Sequence, residues 1–468
     1  MILKQYYLGC LSHASYLIAD EESGEAAIVD PQRDVDGYLT DAEKQGLRIR
    51  HVILTHFHAD FVSGHLELLE RTGATIHIGA RGRADYAFHP VADGDLIEVG
   101  SVRLVVLETP GHTPEGISIL VFDPEEPDRP HAVLTGDTLF IGDVGRPDLM
   151  ASVGFSAEEL AGMLYDSLRG KILPLPDETL VYPAHGAGSA CGQNLSNETF
   201  ATLGQQRACN WALQPLERDE FVRTLTATQS TAPAYFAYDA DLNKRERPTL
   251  EDSLARGMKA LSPSAALEAV ASGAQLLDVR PPEEFAAGHV AGSVNVGLEG
   301  RYASWVGTVL ENSSPIVLIA PAGREREAAL RLGRIGFVRI AGYVEGGFAA
   351  LSNDPAAASR IVRIRRLSPD ELERELAGAE PPLVIDVRGP GEHEDTAIEG
   401  SVLFPLTSLC EQMNEVPRDR PLVLHCATGY RSMIAASILA AAGVEVADLE
   451  GGIVAWATRR KPTVSAAG

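Results

Sequence analysis

Two groups of residues in this chain combine side-chain types and spacings suited to chemistry. The first begins in Thr55-His56-Phe57-His58-Ala59-Asp60, where two imidazoles and a carboxylate fall within five positions. Such groups are costly to bury unless they are paired or hold a cation, so the cluster reads as a metal site or a mutually satisfied polar network. Further candidates follow at Pro110-Gly111-His112-Thr113, Leu134-Thr135-Gly136-Asp137-Thr138 and Tyr182-Pro183-Ala184-His185-Gly186. Each sets a liganding side chain beside a glycine, which permits close backbone approach. The second group is Leu424-His425-Cys426-Ala427-Thr428-Gly429-Tyr430-Arg431-Ser432. Here an apolar strand delivers a cysteine into a short loop that closes on a helix N-terminus. The loop N–H groups and the helix dipole favour an anion, whether thiolate or persulfide. Arg431 adds a cation for a sulfite or thiosulfate oxyanion, and Ala427, Thr428, Gly429, Tyr430 and Ser432 are expected to line that site.

The elements that must position these groups are visible in the apolar pattern. Strands are expected at Ala26-Ala27-Ile28-Val29-Asp30, His51-Val52-Ile53-Leu54-Thr55, 102–107, 131–135 and 179–182, several ending in His or Asp. Helical periodicity lies between them at 34–45, 64–71 and 157–168. Side chains at the ends of buried strands are a common way to build a site on a rigid sheet. Over 214–261 the pattern loosens around Pro215, Pro233, Pro248 and the charged run Asn243-Lys244-Arg245-Glu246-Arg247, which reads as a domain tail and linker.

The remainder is an internal duplication. Leu276-Leu277-Asp278-Val279-Arg280 returns as Val384-Ile385-Asp386-Val387-Arg388, and Pro315-Ile316-Val317-Leu318 as Pro421-Leu422-Val423-Leu424. Ala291-Gly292-Ser293-Val294 returns as Glu399-Gly400-Ser401-Val402, and Glu345-Gly346-Gly347-Phe348 as Glu450-Gly451-Gly452-Ile453. The order is kept at an offset of a little over 100 residues, which is a domain rather than a solenoid repeat. In the first copy Ala320 stands opposite Cys426, and Pro321 removes one cradle N–H. That copy is expected to be an inactive spacer or docking module.

With 468 residues, about three domains are expected: 1–245, a linker at 246–262, 263–358 and 359–468. The formal charge of −25 argues against nucleic-acid binding. The five cysteines (Cys10, Cys191, Cys209, Cys410, Cys426) are odd in number and scattered, so no disulfide framework is expected and a reducing compartment is implied. Leu8-Gly9-Cys10 faintly resembles a lipoprotein cleavage site, but no apolar signal core precedes it and no run approaches the ~20 residues of a membrane span. A cytoplasmic location and a homo-oligomer are the expectations.

THxHxD followed by GH, GD and a final AHG resembles the metallo-β-lactamase superfamily over roughly residues 1 to 240. Its general pattern carries a second histidine after the aspartate, which helps to bind a second metal; here that position is Phe61. This weakens a two-metal reading and leaves His56, His112 and Asp137 as the set that survives best. Two imidazoles and one carboxylate with open positions suit non-haem iron(II) that takes substrate and dioxygen together. Within the superfamily the arrangement resembles the persulfide dioxygenases, as does Phe140-Ile141-Gly142-Asp143-Val144-Gly145-Arg146-Pro147-Asp148. The resemblance implies one Fe(II) per chain on those three ligands, with zinc as the alternative. His58, Asp60 and His185 then orient the ligands and bind water. Arg146 either recognises an anionic group of the substrate or pairs with Asp143 or Asp148. Cys191 and Cys209 follow His185 closely enough to meet a persulfide, although buried, inert thiols are the commoner outcome.

The cysteine loop, the Asp386-Val387-Arg388 strand end and Glu450-Gly451-Gly452 resemble a rhodanese. A metallo-β-lactamase αβ/βα sandwich followed by two rhodanese-like α/β domains with central parallel sheets is therefore the expected architecture. The resemblances imply oxidation of a small thiol persulfide (glutathione, coenzyme A or similar) by dioxygen to sulfite plus thiol. Cys426 would form or use thiosulfate. A glyoxalase II-like thioester hydrolase with appended sulfur-carrier domains is the alternative; a third reading is a sulfur relay in which only Cys426 reacts.

Overall fold

The computed structural model describes residues 1–149, 154–227 and 232–465. These form two compact units, Met1–Leu250 with Gly333–Gly336, and Glu251–Leu332 with Phe337–Gly468.

The first unit is built on two six-stranded sheets. One contains β1 (Ile2–Leu8), β2 (His13–Asp20), β3 (Glu25–Val29), β4 (Arg48–Leu54), β5 (Thr75–Gly79) and β6 (His89–Val91), in that order. The other contains β7 (Leu96–Val99), β8 (Val102–Glu108), β9 (Ile117–Phe122), β10 (Ala132–Gly136), β11 (Leu180–Pro183) and β12 (Ala201–Thr202). Strand alternation sorts the side chains into layers. Tyr16, Ile18, Ala27, Val29 and Ile53 from one sheet meet Leu104, Val106, Ile119 and Leu134 from the other in a shared core. Their neighbours Leu17, Ala19, Ala26, Ile28 and Val52 face outward onto α1 (Asp36–Lys44) and α2 (His65–Thr72) through Tyr38, Ala42 and Leu68. Val133 and Val181 face outward on the second sheet, against α3 (Ala157–Ser167), α4 (Leu203–Cys209) and α5 (Arg218–Thr226). The result is the expected αβ/βα sandwich.

The segment expected as tail and linker is more ordered than its sequence pattern suggested. It carries α5, α6 (Tyr235–Leu242) and α7 (Leu250–Gly257), and Ala260–Leu261 joins a sheet of the second unit. Pro215 precedes α5 and Pro233 and Pro248 fall between the helices rather than within them, and the i,i+4 pairs Phe221/Leu225 and Leu250/Leu254 are buried.

The second unit contains two parallel five-stranded sheets. In each, the strand preceding the cysteine position is central: Ile316–Ile319 in the first copy and Leu422–His425 in the second. Both strands are buried throughout, as befits a sheet covered on two faces. No helix among the described residues is long and apolar enough to cross a membrane.

Candidate metal centre and cysteine loop

Four strand ends of the first unit converge on one buried polar cluster. β4 ends immediately before Thr55-His56, β8 runs into the turn carrying His112, β10 ends at Gly136 before Asp137, and β11 ends before His185. His56 Nε2 lies 3.7 Å and His112 Nε2 3.4 Å from the same atom, Asp137 Oδ2. That oxygen is buried and makes no hydrogen bond. The opposite ring nitrogens are already committed. His112 Nδ1–H donates to the Arg146 carbonyl at 2.8 Å. His56 Nδ1 is 3.0 Å from Thr55 Oγ1, whose own proton goes to Asp30 Oδ2 at 2.7 Å. Both imidazoles are thereby held with Nε2 lone pairs facing the carboxylate. Ligand atoms about 2.1 Å from a tetrahedral cation would stand about 3.4 Å apart, so the three groups fit one metal ion. Close backbone approach makes this possible: a Cβ on Gly145 would meet Asp137 O at 2.1 Å, and one on Gly136, at φ +52°, Thr55 Oγ1 at 2.5 Å.

Around these three groups His58, Asp60 and His185 form a second cluster. His185 bridges two carboxylates, with Nδ1 2.7 Å from Asp137 Oδ1 and Nε2 2.9 Å from Asp60 Oδ2. Burial pushes its imidazole down, but Asp137 and Asp60 outweigh that and hold it well above the ordinary histidine range. His58 Nε2 lies 3.0 Å from Asp30 Oδ1. The Phe61 ring packs against His13 at 3.9 Å and His58 at 4.4 Å between centroids, so hydrocarbon fills the position after Asp60.

Several members of this site escaped sequence reasoning. His13 is fully buried beside Phe61 and His185. Asn243, at the C-terminus of α6, makes three hydrogen bonds of 2.8 Å to the metal loop: it accepts from Ser63 N–H and donates to the carbonyls of His58 and Phe61. Arg247 and Arg33 grip Glu67 on α2, and although burial opposes it, the two cations bring its carboxyl down to about 2. The charged run read as linker thus sends Asn243 and Arg247 inward as a clamp, while Arg245 and Glu246 stay exposed.

Arg146 is buried and pairs through Nε and Nη2 with Asp148, at 2.7 Å each. It borders a cavity of about 360 Å³ shared with Asp143, Gln193, Asn194 and Trp211. Cys191 is buried beside Asp137 and His185, and burial pushes its thiol well above the ordinary range, with Asp60 and Asp137 adding to the shift. Cys209 is exposed on α4.

In the second unit, Cys426 follows its strand directly and Sγ accepts the N–H of Gly429 at 3.1 Å. Gly429 has φ +104°, which turns the chain into helix Tyr430–Ala441. The loop's outer carbonyls are taken by the next helix: Ile453 N–H donates to Cys426 O and Val454 N–H to Ala427 O. Arg431 is held in a two-point fork on Glu392, 2.7 Å at each contact, so its guanidinium is already paired with a carboxylate. Ser432 donates to Asp448 Oδ1 at 2.6 Å and Arg366 Nε to Oδ2 at 3.1 Å. Burial nonetheless pushes the Asp448 carboxyl up to about 6. Thr428 is exposed and Ala427 half-buried, whereas the Tyr430 hydroxyl is directed to Gly297 of the first copy.

The first copy repeats the scaffold with alanine at the cysteine position. Ala320 follows the equivalent strand and packs under Gly347 as Cys426 packs under Gly452. The register that pairs Arg366 with Asp448 pairs Ala260 with Tyr343 here, so the buried charge pair accompanies the cysteine.

Comparison with known proteins agrees with both halves. Residues 8–185 match the metallo-beta-lactamase superfamily, and residues 262–354 and 368–459 each match the rhodanese-like domain. The bovine mitochondrial persulfide dioxygenase ETHE1 is 29% identical over 252 residues, spanning 52% of this chain and 88% of the relative. A hydroxyacylglutathione hydrolase of Rhodospirillum rubrum is 32% identical over 233 residues, spanning 49% and 80%. A crystal structure described as a metallo-beta-lactamase from Staphylococcus aureus superposes with a TM-score of 0.66 at 33% identity, covering 73% of this chain and 98% of that one. The superfamily and its relatives imply a metal held by His and Asp side chains. The chain belongs to the metallo-β-lactamase superfamily and carries two rhodanese-like domains behind its N-terminal domain.

Proposed function

We propose that the first unit is a single-iron dioxygenase acting on a low-molecular-weight thiol persulfide, and that Cys426 is the sulfur carrier of a coupled sulfurtransferase. The observation that carries this reading is the convergence of His56, His112 and the unbonded Asp137 Oδ2, with Phe61 where a second-metal ligand would stand. Iron bound by these three groups would supply the redox chemistry that dioxygen requires. The balanced reaction is RSSH + O₂ + H₂O → RSH + H₂SO₃, in which the terminal sulfur is oxidised and the S–S bond breaks. The protein's own part is to hold both Nε2 atoms and Oδ2 in place through Arg146 O, Thr55 and His185, and to keep the site dry with Phe61, His13 and Phe140. A persulfide on Cys426 would pass its outer sulfur to sulfite, giving thiosulfate and the free thiol, or run in reverse. The loop N–H groups and Arg431 support the charge.

Oxygen uptake on glutathione persulfide, with sulfite and thiosulfate measured together, tests both steps. Cys426→Ser should leave uptake intact while sulfite replaces thiosulfate; unchanged thiosulfate would exclude Cys426.

A second reading, a two-metal thioester hydrolase, draws on the His58, Asp60 and His185 cluster and on the similarity to hydroxyacylglutathione hydrolases. It predicts two metals and turnover of an acyl-glutathione without dioxygen. Phe61, and the engagement of both His185 nitrogens by carboxylates, count against it.

A further inference from the structure

The first copy keeps the scaffold with Ala320 at the cysteine position, and its segment 294–300 lies along the helix that follows Cys426. Helix Tyr430–Ala441 packs against Val294–Asn295 and against Pro282–Ala287 of the first copy. The Tyr430 hydroxyl donates to Gly297 O at 2.7 Å. Its ring lies over the same stretch, so that a Cβ on Gly297 or Gly300 would come 3.5 or 3.9 Å from it. Two turns further along the same helix face, Ser437 Oγ accepts the N–H of Asn295 at 2.9 Å and donates to Ile434 O at 2.7 Å. Contacts at positions i and i+7 on one face fix both the rotation of a helix and its placement along its axis.

The gripping segment is itself anchored. Asn295 Nδ2 donates to the carbonyls of Asp278 and Arg280 at 2.9 Å each, and Asp278 clamps the Arg280 guanidinium at 2.6 Å. The Asp-Val-Arg strand end, retained in a copy that lost its nucleophile, therefore secures the residues that hold the other copy's helix. Gly429, whose N–H reaches Cys426 Sγ, is the residue immediately before that helix. A displacement of a few tenths of an ångström at Tyr430 is transmitted to the donor nearest the sulfur.

We infer that the first rhodanese-like copy is a brace for the second: it positions the helix N-terminus behind Cys426, with Tyr430 and Ser437 as the positioning residues. This rests on the reading of Cys426 as a sulfur-transferring thiol. Tyr430→Phe removes only the hydroxyl, and Ser437→Ala removes the acceptor for Asn295 N–H together with the bond to Ile434 O inside the helix. In the full chain, thiosulfate-to-cyanide sulfur transfer should fall about three- to ten-fold in kcat for each, as expected for one lost hydrogen bond. The KM for thiosulfate should change little because Arg431 is untouched. The double variant should lose less than the product of the two, since both act through one helix. The pH profile of Cys426 alkylation by iodoacetamide should shift in both variants, which a purely structural loss elsewhere would not produce, and oxygen uptake should stay unchanged. Wild-type kcat and wild-type alkylation profiles in both variants would overturn the brace. A wild-type enzyme that transfers no sulfur would instead remove the sulfurtransferase reading, and the alkylation profiles would still decide the brace.

Discussion

Replacing Asn243 by alanine tests whether the helical tail of the first unit is part of its metal site. The side chain is fully buried and satisfies three backbone groups of one loop: Ser63 N–H and the carbonyls of His58 and Phe61. Truncation leaves all three without that partner in a dry environment, and each such group costs about 1–3 kcal/mol. Partial relaxation and non-additivity place the sum at roughly 3–5 kcal/mol, a large share of the roughly 5–15 kcal/mol that holds a domain folded. For a unit of this size that is a fall of about 6–20 °C in the melting transition. The loop carries His58 and Phe61 and begins two residues beyond His56, so metal retention during dialysis against a chelator should fall at temperatures where the fold is intact. Circular dichroism melting and metal content after dialysis provide the assay. Asn243→Asp keeps the acceptor but sets a carboxylate against two carbonyls, so it should be no better than alanine. A melting point within 2 °C of wild type, with full metal retention, would refute the clamp.

Three further outcomes follow from the same geometry. Phe61→His places an imidazole beside Asp60, His58 and His185, and metal content measured by mass spectrometry should rise from one ion per chain towards two. Ala320→Cys in a Cys426→Ser background should not create sulfur transfer, because Pro321 lacks a loop N–H and the register partner of Tyr343 is Ala260 rather than an arginine; measurable turnover would contradict that. Burial lifts Asp448 to about 6 from an ordinary 3.8, so the native state binds this proton more tightly than the unfolded chain. Its contribution, about 3 kcal/mol, is complete below pH ~4 and is lost as pH rises through ~6. Urea unfolding of wild type compared with Asp448→Asn over that range should show a difference that changes with pH; a constant difference would show that Asp448 does not titrate there.

The convergence of His56, His112 and Asp137 was legible in the sequence because His56 and Asp137 follow strand ends directly and His112 lies in the turn after one, so apolar periodicity predicted the strands and the direction of delivery. The cysteine loop was legible for the same reason, and the duplication made the Ala320 substitution visible by alignment of the chain with itself. Asn243 was not legible. Its partners are backbone groups about 180 residues away, and no side-chain pattern marks a backbone acceptor. The charged run around it looked solvated, as Arg245 and Glu246 are, whereas Arg247 turns inward onto Glu67 and the Ser63 carbonyl, both far upstream. Tyr430 sat within a loop whose residues were all expected to face the sulfur, yet its hydroxyl turns to Gly297, a carbonyl that only the fold brings near.

Metal identity and stoichiometry in the purified protein, measured with oxygen uptake on glutathione persulfide, test the central claim most directly. One iron per chain that is lost on His56→Ala, His112→Ala or Asp137→Ala, together with persulfide-dependent uptake, is the expected result. Two zinc ions per chain with no uptake would contradict it.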